Sequence, residues 1–376
     1  MDLSLSEEQV MIQESARKFA TTELMPVAER LDKENDRETL LKNLKKLAEL
    51  GFMGINIDGA YGGTEAGTVA FSLAVTEIAR GCASTAVTTS VTNMVAEVIQ
   101  AVGSEAQKNK YIAKICNGEF SAGAFCLTEI SAGSDPSEMK TVATKEGDEW
   151  VLNGTKQFII VWAVTDKLQP KGRGISCFLV EADTVGMSIG KAENKMGQHA
   201  SSTNEVIFEN CRLPEDALLG ELNKGYKVAV GELAGGRIGV GSMALGIASA
   251  AMDFARNYIQ ERQQFGQAIA DFQGIQWMLA DTYTELEAAR LLLMNAAYIK
   301  EQGQHFGKQA SMAKLYSSEV ANKACYTALQ LMGGNGYIVD YPLERHARDV
   351  RVTSIYEGSS EIQRIIIAKQ LLNEAG

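Results

Sequence analysis

The chain is poor in the residues that build metal centres. Only 3 of its 376 residues are histidine (His199, His305, His346), which argues against a poly-histidine metal site or a His-based triad. Its 6 cysteines (Cys82, Cys116, Cys126, Cys177, Cys211, Cys325) contain no Cys-x-x-Cys pair. That argues against zinc and suits reduced thiols in a cytosolic or similar compartment. Positive charge is also short: 36 Lys and Arg against 47 Asp and Glu leave a net charge of −11, the wrong sign for nucleic acid or an anionic membrane as the main partner. A local basic pocket for a phosphorylated ligand stays open. No uninterrupted apolar run reaches the ~20 residues of a bilayer span. Met1-Asp2-Leu3-Ser4 lacks the basic and apolar regions of a signal peptide. A cytoplasmic protein is expected, or a mitochondrial-matrix one had a transit peptide been removed. Proline is scarce, 5 in all, with none between Pro214 and Pro342.

What is present suffices for two or three domains with a sizeable core. Residues 1–120 read as helices. Ser6-Glu7-Glu8-Gln9 is a capping pattern, residues 40–50 are amphipathic and stopped by Gly51, and residues 69–79 and 83–102 are apolar on several faces. Residues 121–222 read as a small, mainly antiparallel β domain, with strands around 125–127, 142–144, 150–152, 158–164, 175–180 and 205–208. Asn153-Gly154 is a hairpin signal. Residues 223–376 are helical again. The runs 238–262, 271–300 and 308–332 carry apolar residues at i, i+3, i+4 and i+7 without a breaker, the pattern of a bundle. The class is α+β: an N-terminal helical domain, a middle antiparallel β domain and a C-terminal four-helix bundle.

Five stretches can carry chemistry. Ile355-Tyr356-Glu357-Gly358-Ser359-Ser360-Glu361 sets a carboxylate on a Gly turn before a helix that Ser359 or Ser360 can cap. Alone it reads as an exposed helix start. Phe125-Cys126-Leu127-Thr128-Glu129 runs into Ala132-Gly133-Ser134-Asp135, a loop of hydrogen-bonding residues suited to an anionic or heteroaromatic ligand, or an ordinary polar loop. Gly235-Gly236-Arg237 permits close approach and offers a cation, or marks a Gly-rich helix start. Arg262-Gln263-Gln264-Phe265-Gly266, then Phe272-Gln273, lies between two helices; an Arg there can grip a pyrophosphate while Phe265 covers a ring, unless this is an exposed loop. Gln330-Leu331-Met332-Gly333-Gly334 ends a helix with bare backbone. Arg345-His346-Ala347-Arg348-Asp349 reads as a solvated or interface charge cluster.

In this order and spacing the five stretches resemble the acyl-CoA dehydrogenase family of flavoproteins over nearly the whole chain, most nearly its short-chain, butyryl-CoA-like members. The resemblance implies FAD as cofactor, an acyl-CoA substrate and electron-transfer flavoprotein as electron acceptor. It makes Glu357 the base that removes the α-proton while a hydride leaves the β-carbon for flavin N5. Some relatives carry the base directly before the arginine, where this chain has Gly236. By the same matching Phe125, Cys126, Leu127, Thr128, Gly133 and Ser134 line the flavin and its pyrophosphate, as do Phe158, Ile159 and Ile160 on the following strand. Ser134 also faces the CoA chain. Arg262, Phe265, Gln273, Gln330, Gly333 and Gly334 reach FAD from a neighbouring subunit, and Ser359, Ser360 and Glu361 meet its adenosine side. Ala234, Arg237 and Gly358 fall at acyl-CoA positions. A shared flavin site implies a homo-oligomer, commonly a tetramer built as a dimer of dimers. No metal, nucleic acid or membrane insertion is implied.

The chain departs from the family after Lys156. A Thr-Asn-Gly and the loop after it are missing, on the order of nine residues, and Ile160 stands where a threonine normally supports flavin N5. A rebuilt strand connection, a segment absent from this sequence, or weakened flavin binding would each account for it. Ala234 replaces the usual aspartate, and Ile130-Ser131 replaces a Pro-Gly-like pair. An enoyl-CoA reductase or acyl-CoA oxidase on the same scaffold, or a non-catalytic acyl-CoA-binding paralogue, are the alternative readings.

Overall fold

The computed structural model describes residues 4–156 and 160–374. Phe158 and Ile159, two of the positions expected at the flavin, lie outside the described residues. The N-terminal helices are α1 (Glu7–Phe19), α2 (Ala28–Lys33), α3 (Arg37–Glu49), α4 (Gly67–Gly81), α5 (Ala83–Val102), α6 (Glu105–Gln107) and α7 (Ala113–Cys116). The Ser6 hydroxyl accepts the Gln9 amide at 3.1 Å, and the Gln9 side chain accepts the Ser6 amide at 3.0 Å, closing the expected capping box. Helix α3 stops where Gly51 turns left-handed, at φ +81°. Helices α4 and α5 are buried on most sides, which their nearly continuous small and apolar residues require.

The middle strands are β1 (Phe125–Cys126), β2 (Val142–Glu146), β3 (Glu149–Lys156), β4 (Ile160–Val164), β5 (Ile175–Leu179), β6 (Met187–Ala192), β7 (Asn204–Pro214) and β8 (Leu218–Leu219). They form a mixed sheet in the order β6-β7-β3-β2-β4-β5-β8, with β1 beside β4. Pairing is antiparallel except that β1 and β2 run parallel to β4. Strand β4 pairs Ile160 with Phe125 on one side and Trp162 with Cys177 on the other. Trp162 is fully buried; its ring lies 4.2 Å from that of Phe125, and its indole N–H donates to Gly225 O at 2.8 Å.

Asn153-Gly154 is not the hairpin turn its sequence suggested. The β2–β3 turn falls at Gly147-Asp148, and Gly154 lies within β3 at a register shift against β7. The reason is packing: a Cβ at Gly154 would stand 2.6 Å from Thr141 Cα, so glycine is required by close backbone approach rather than by a turn.

The C-terminal elements are α8 (Gly225–Glu261), a short hairpin β9 (Gln263–Gln264) and β10 (Gln267–Ala268), α9 (Gln273–Glu301), α10 (Gly307–Leu331), α11 (Leu343–Arg351) and α12 (Ser360–Glu374). Helices α8, α9, α10 and α12 make the bundle, and α8 also packs on α4 and α5. Gly235-Gly236 is therefore interior to α8 rather than a helix start. Helix α8 is also long and apolar enough to cross a membrane by length and composition, although Arg237 and Asp253 interrupt its apolar run; its most apolar 18 residues are 83% buried inside the protein.

The 345–349 cluster is only partly solvated: Arg345, Ala347 and Arg348 are half-buried. His346 and Asp349 are buried, and Arg348 ion-pairs with Asp32 of α2 at 2.6 Å and with Glu344 at 2.6 Å. Asp349 accepts the Gln198 amide at 2.5 Å. Helix α11 turns this charged face inward, where partners on α2 and the 195–203 segment satisfy it.

Candidate functional site

A cavity of about 1320 Å³ opens between the sheet and the helices. Its walls are mostly apolar, with Val91, Met94, Leu233, Val240 and Met243 among them. Ten of the positions weighed in the sequence face it together: Phe125, Leu127, Thr128, Gly133, Ser134, Ile160, Gly236, Arg237, Glu357 and Gly358. A large apolar cleft with a few convergent polar groups is what a small-molecule site requires.

Glu357 sits on the turn before α12. Its φ is +55° and that of Gly358 is +89°, two successive left-handed residues, the first of which carries a side chain. The turn is gripped from below. Gln363 donates to Glu357 O at 3.0 Å and to Gly358 O at 2.8 Å, and Lys314 of α10 donates to Gly358 O at 2.8 Å. Glu357 as a residue is half-buried, but its Oε2 is sealed from solvent and has no hydrogen-bond partner among the described residues. Burial pushes this carboxyl up to about 7, against the pull of Arg237 and Lys314.

Arg237 is buried on α8, reaches Ser311 Oγ at 3.4 Å, and leaves its Nε unpartnered. Burial disfavours its charge, which Glu357 supports. Gly236 matters by what it lacks: a Cβ there would stand 3.0 Å from Glu357 Oε2 and 2.9 Å from Met94 Sδ. Among the described residues neither Glu357 Oε2 nor the Arg237 guanidinium Nε has a hydrogen-bond partner, so two buried polar atoms stand unsatisfied at the cleft wall.

The other wall fits a flat heteroaromatic group. Phe125, Leu127 and Ile160 present hydrocarbon, Thr128 and Ser134 present exposed hydroxyls, and nothing lies within 4 Å of a Cβ built on Gly133. The buried Glu129 carboxylate shapes this loop by accepting the Lys140 and Thr141 amides at 2.6 and 3.0 Å. Ile160 faces the cleft without a side-chain donor.

The remaining positions lie elsewhere. Cys126 is buried in a second core behind the strand, and Ala234 is half-buried outside the lining. Ser359, Ser360 and Glu361 open α12 just past the turn; the Ser359 hydroxyl bonds the Glu361 carboxylate, while Ser360 Oγ is buried without a partner. Arg262, Phe265, Gln273, Gln330, Gly333 and Gly334 are exposed and do not line the cleft. Phe265 is 94% exposed at φ +53°, on the β9–β10 turn. Asn335 bonds the Tyr258 hydroxyl at 2.7 Å, which sets the 330–335 segment near the end of α8.

The sequence reading passed over Lys314 and Gln363. A signal for Lys314 existed: it shares a helix face with Ala310, Ala313, Ser317 and Ala321, an unusual place for an unpaired lysine.

Family models for the acyl-CoA dehydrogenase N-terminal, middle and C-terminal domains match residues 6–119, 124–211 and 223–372. The chain is 44% identical to the acryloyl-CoA reductase (NADH) of Anaerotignum propionicum over 384 residues, covering 99% of this chain and 96% of that protein. That stretch exceeds the 376 residues of this chain, so the alignment places gaps in it. It is 44% identical to the mitochondrial short-chain specific acyl-CoA dehydrogenase of Rattus norvegicus, over 98% of this chain and 91% of that one. Among solved structures, butyryl-CoA dehydrogenase from Megasphaera elsdenii superposes with a TM-score of 0.95 at 39% identity, over 99% of this chain and all (100%) of that chain. A chain from work on the electron transferring flavoprotein of Acidaminococcus fermentans and flavin-based electron bifurcation gives 0.96 at 42% identity, over 99% and 100%. With three domain models in register along the chain and a cleft built of the expected residues, the chain belongs to the acyl-CoA dehydrogenase family, FAD-dependent oxidoreductases that act on CH–CH bonds.

Proposed function

We propose that the protein dehydrogenates a short-chain acyl-CoA to the trans-2-enoyl-CoA, with Glu357 removing the α-proton. The observation that carries this reading is Glu357 Oε2, a sealed and unpartnered carboxylate oxygen in an apolar cleft. Desolvation makes it a stronger base than an exposed glutamate, and a carboxyl near 7 is ionised often enough at neutral pH to act. Gly236 leaves the space the carboxylate occupies. Arg237 and the Gly358 backbone hold the acyl-CoA beside it. Phe125, Leu127, Thr128, Gly133, Ser134 and Ile160 would hold FAD, which supplies the acceptor for the β-hydride when bound. Electron-transfer flavoprotein is the proposed electron acceptor, supported by the likeness to the Acidaminococcus work. A homo-oligomer, most simply a tetramer, is part of the proposal. Arg262, Phe265, Gln273, Gln330, Gly333 and Gly334 would complete the flavin site only from a neighbouring copy.

The test is flavin bleaching by butyryl-CoA without oxygen. Wild-type protein should bleach. Glu357→Gln should keep flavin and bind butyryl-CoA but lose bleaching by several orders of magnitude, on the order of 10³ or more. Bleaching of that variant at the wild-type rate, or a colourless protein that takes up no FAD, overturns the reading. A second reading, reduction of a short enoyl-CoA, is favoured by the 44% identity to an NADH-linked acryloyl-CoA reductase. The same base then returns the α-proton. Reoxidation of reduced flavin by crotonyl-CoA, faster than bleaching by butyryl-CoA, would select it.

A further inference from the structure

We infer that Lys314 is a positioning residue for the proposed base: its ammonium, with the Gln363 amide, clamps the left-handed Glu357–Gly358 turn so that the carboxylate keeps its place beside Gly236 at the cleft wall. The inference rests on Glu357 being the base.

Lys314 is 0% exposed and sits on the inner face of α10. No carboxylate among the described residues lies within ion-pair distance of it; its ammonium donates to a peptide oxygen, Gly358 O, at 2.8 Å. Burying a cation is costly, and a charge-assisted bond to a carbonyl both offsets part of that cost and holds the carbonyl more firmly than a neutral donor would. The carbonyl belongs to the residue after the base. Gln363, also 0% exposed, adds two bonds to the same pair of carbonyls at 3.0 and 2.8 Å. Three hydrogen bonds therefore fix two left-handed residues, one of which bears a side chain and would otherwise relax towards an ordinary conformation. Relaxation would swing the carboxylate away from the space left by Gly236.

The charges around Glu357 come from three helices. Arg237 faces it from α8 and Lys314 from α10, while Glu361 of α12 faces Lys314; Tyr356 precedes it in the turn. Removing the lysine thus has two effects. It frees the turn, and it takes away a cation that favours the ionised carboxylate.

The experiment measures anaerobic bleaching of the FAD-loaded protein by butyryl-CoA, as a function of both butyryl-CoA concentration and pH. Lys314→Met should keep its flavin and saturate at a similar butyryl-CoA concentration. Its limiting rate should fall roughly tenfold or more, and the midpoint of its pH profile should move upward. Lys314→Arg should recover part of the rate. A purely structural lysine would not split rate from saturation or move that midpoint. If Lys314→Met fails to fold, Gln363→Met serves: it should slow the limiting rate several-fold with the pH midpoint in place, because no charge is removed. Wild-type rate and midpoint in Lys314→Met, or wild-type rate in Gln363→Met, overturn the clamp. Glu357→Gln run alongside separates the two readings. If it bleaches at the wild-type rate, the base assignment has failed; if it is inert while the clamp variants behave as wild type, only the clamp has.

Discussion

Glu357 shows how one carboxyl acquires its chemistry from its surroundings. Burial raises it to about 7, and two cations that would lower it do not cancel that effect. The limiting rate of flavin bleaching should therefore rise with pH through about 7; a rate flat from about pH 5 to 9 would remove Glu357 from that role. The same shift has a thermodynamic sign. The folded protein holds this proton more tightly than the unfolded chain does, so the group favours folding below its ordinary value of 4.5, and that contribution is lost as pH rises through about 7. It amounts to at most about 3 kcal/mol. Between about pH 5 and 8, wild type should lose urea stability relative to Glu357→Gln; parallel curves would contradict this. At Gly236 the sign differs between rate and stability. Gly236→Ala adds a helix-favouring residue, worth up to about 1 kcal/mol, yet places a methyl 3.0 Å from Glu357 Oε2. Bleaching should slow by roughly tenfold while the thermal midpoint holds or rises, because Met94 can move aside and the carboxylate cannot do so without leaving its place.

At the scale of elements, the same residue type does different work according to what packs on it. Gly154 lies in β3 against Thr141, at φ +148° and with backbone 2.6 Å from a notional Cβ. Gly154→Ala should therefore cost on the order of 2 to 3 kcal/mol, read as a lower urea midpoint with an unchanged slope. The β9–β10 corner is the contrast. Phe265 and Gly266 are both left-handed there, with φ of +53° and +81°, and nothing crowds Gly266. Among the described residues, the ring contact of this large side chain on a strained, exposed turn is with the edge of Phe272, 6.2 Å away. Helix α8 combines both kinds of role: Gly236 makes room for the Glu357 carboxylate, while its apolar length packs on α4 and α10.

Across the whole molecule, charge holds the parts in register around the cleft. Arg348 of α11 binds Asp32 of α2 at 2.6 Å and Met196 O of the 195–203 segment at 3.2 Å. Asp349, raised to about 6 by burial, accepts the Gln198 amide of that same segment. Arg348→Met should leave buried Asp32 with His199 as its remaining ion-pair partner among the described residues and lower stability by about 2 to 4 kcal/mol. A thermal midpoint within a degree of wild type would show the network to be dispensable.

What the amino-acid order settled on its own was local. The Ser6 capping box, the stop at Gly51, the breaker-free helices and the alternation of helical and β-rich thirds follow from short-range propensity and periodicity, and all are found in the structure. The position of Glu357 just before a helix start was legible too, because Glu357-Gly358-Ser359-Ser360 is a compact turn-and-cap motif, whereas the role proposed for it came from the resemblance to a family. Other properties depended on residues far apart in the chain. Gly154 reads as a turn until Thr141 is brought against it. The 345–349 cluster reads as surface until Asp32 and Gln198 arrive from elsewhere. Lys314 stands out in the sequence only as a lysine on a face of small residues; its partner, 44 residues further along the chain, is brought within 2.8 Å by the fold. Burial and electrostatic environment are sums over such long-range contacts, so the raised carboxyl of Glu357, and with it the chemistry of the cleft, was decided only by the tertiary structure.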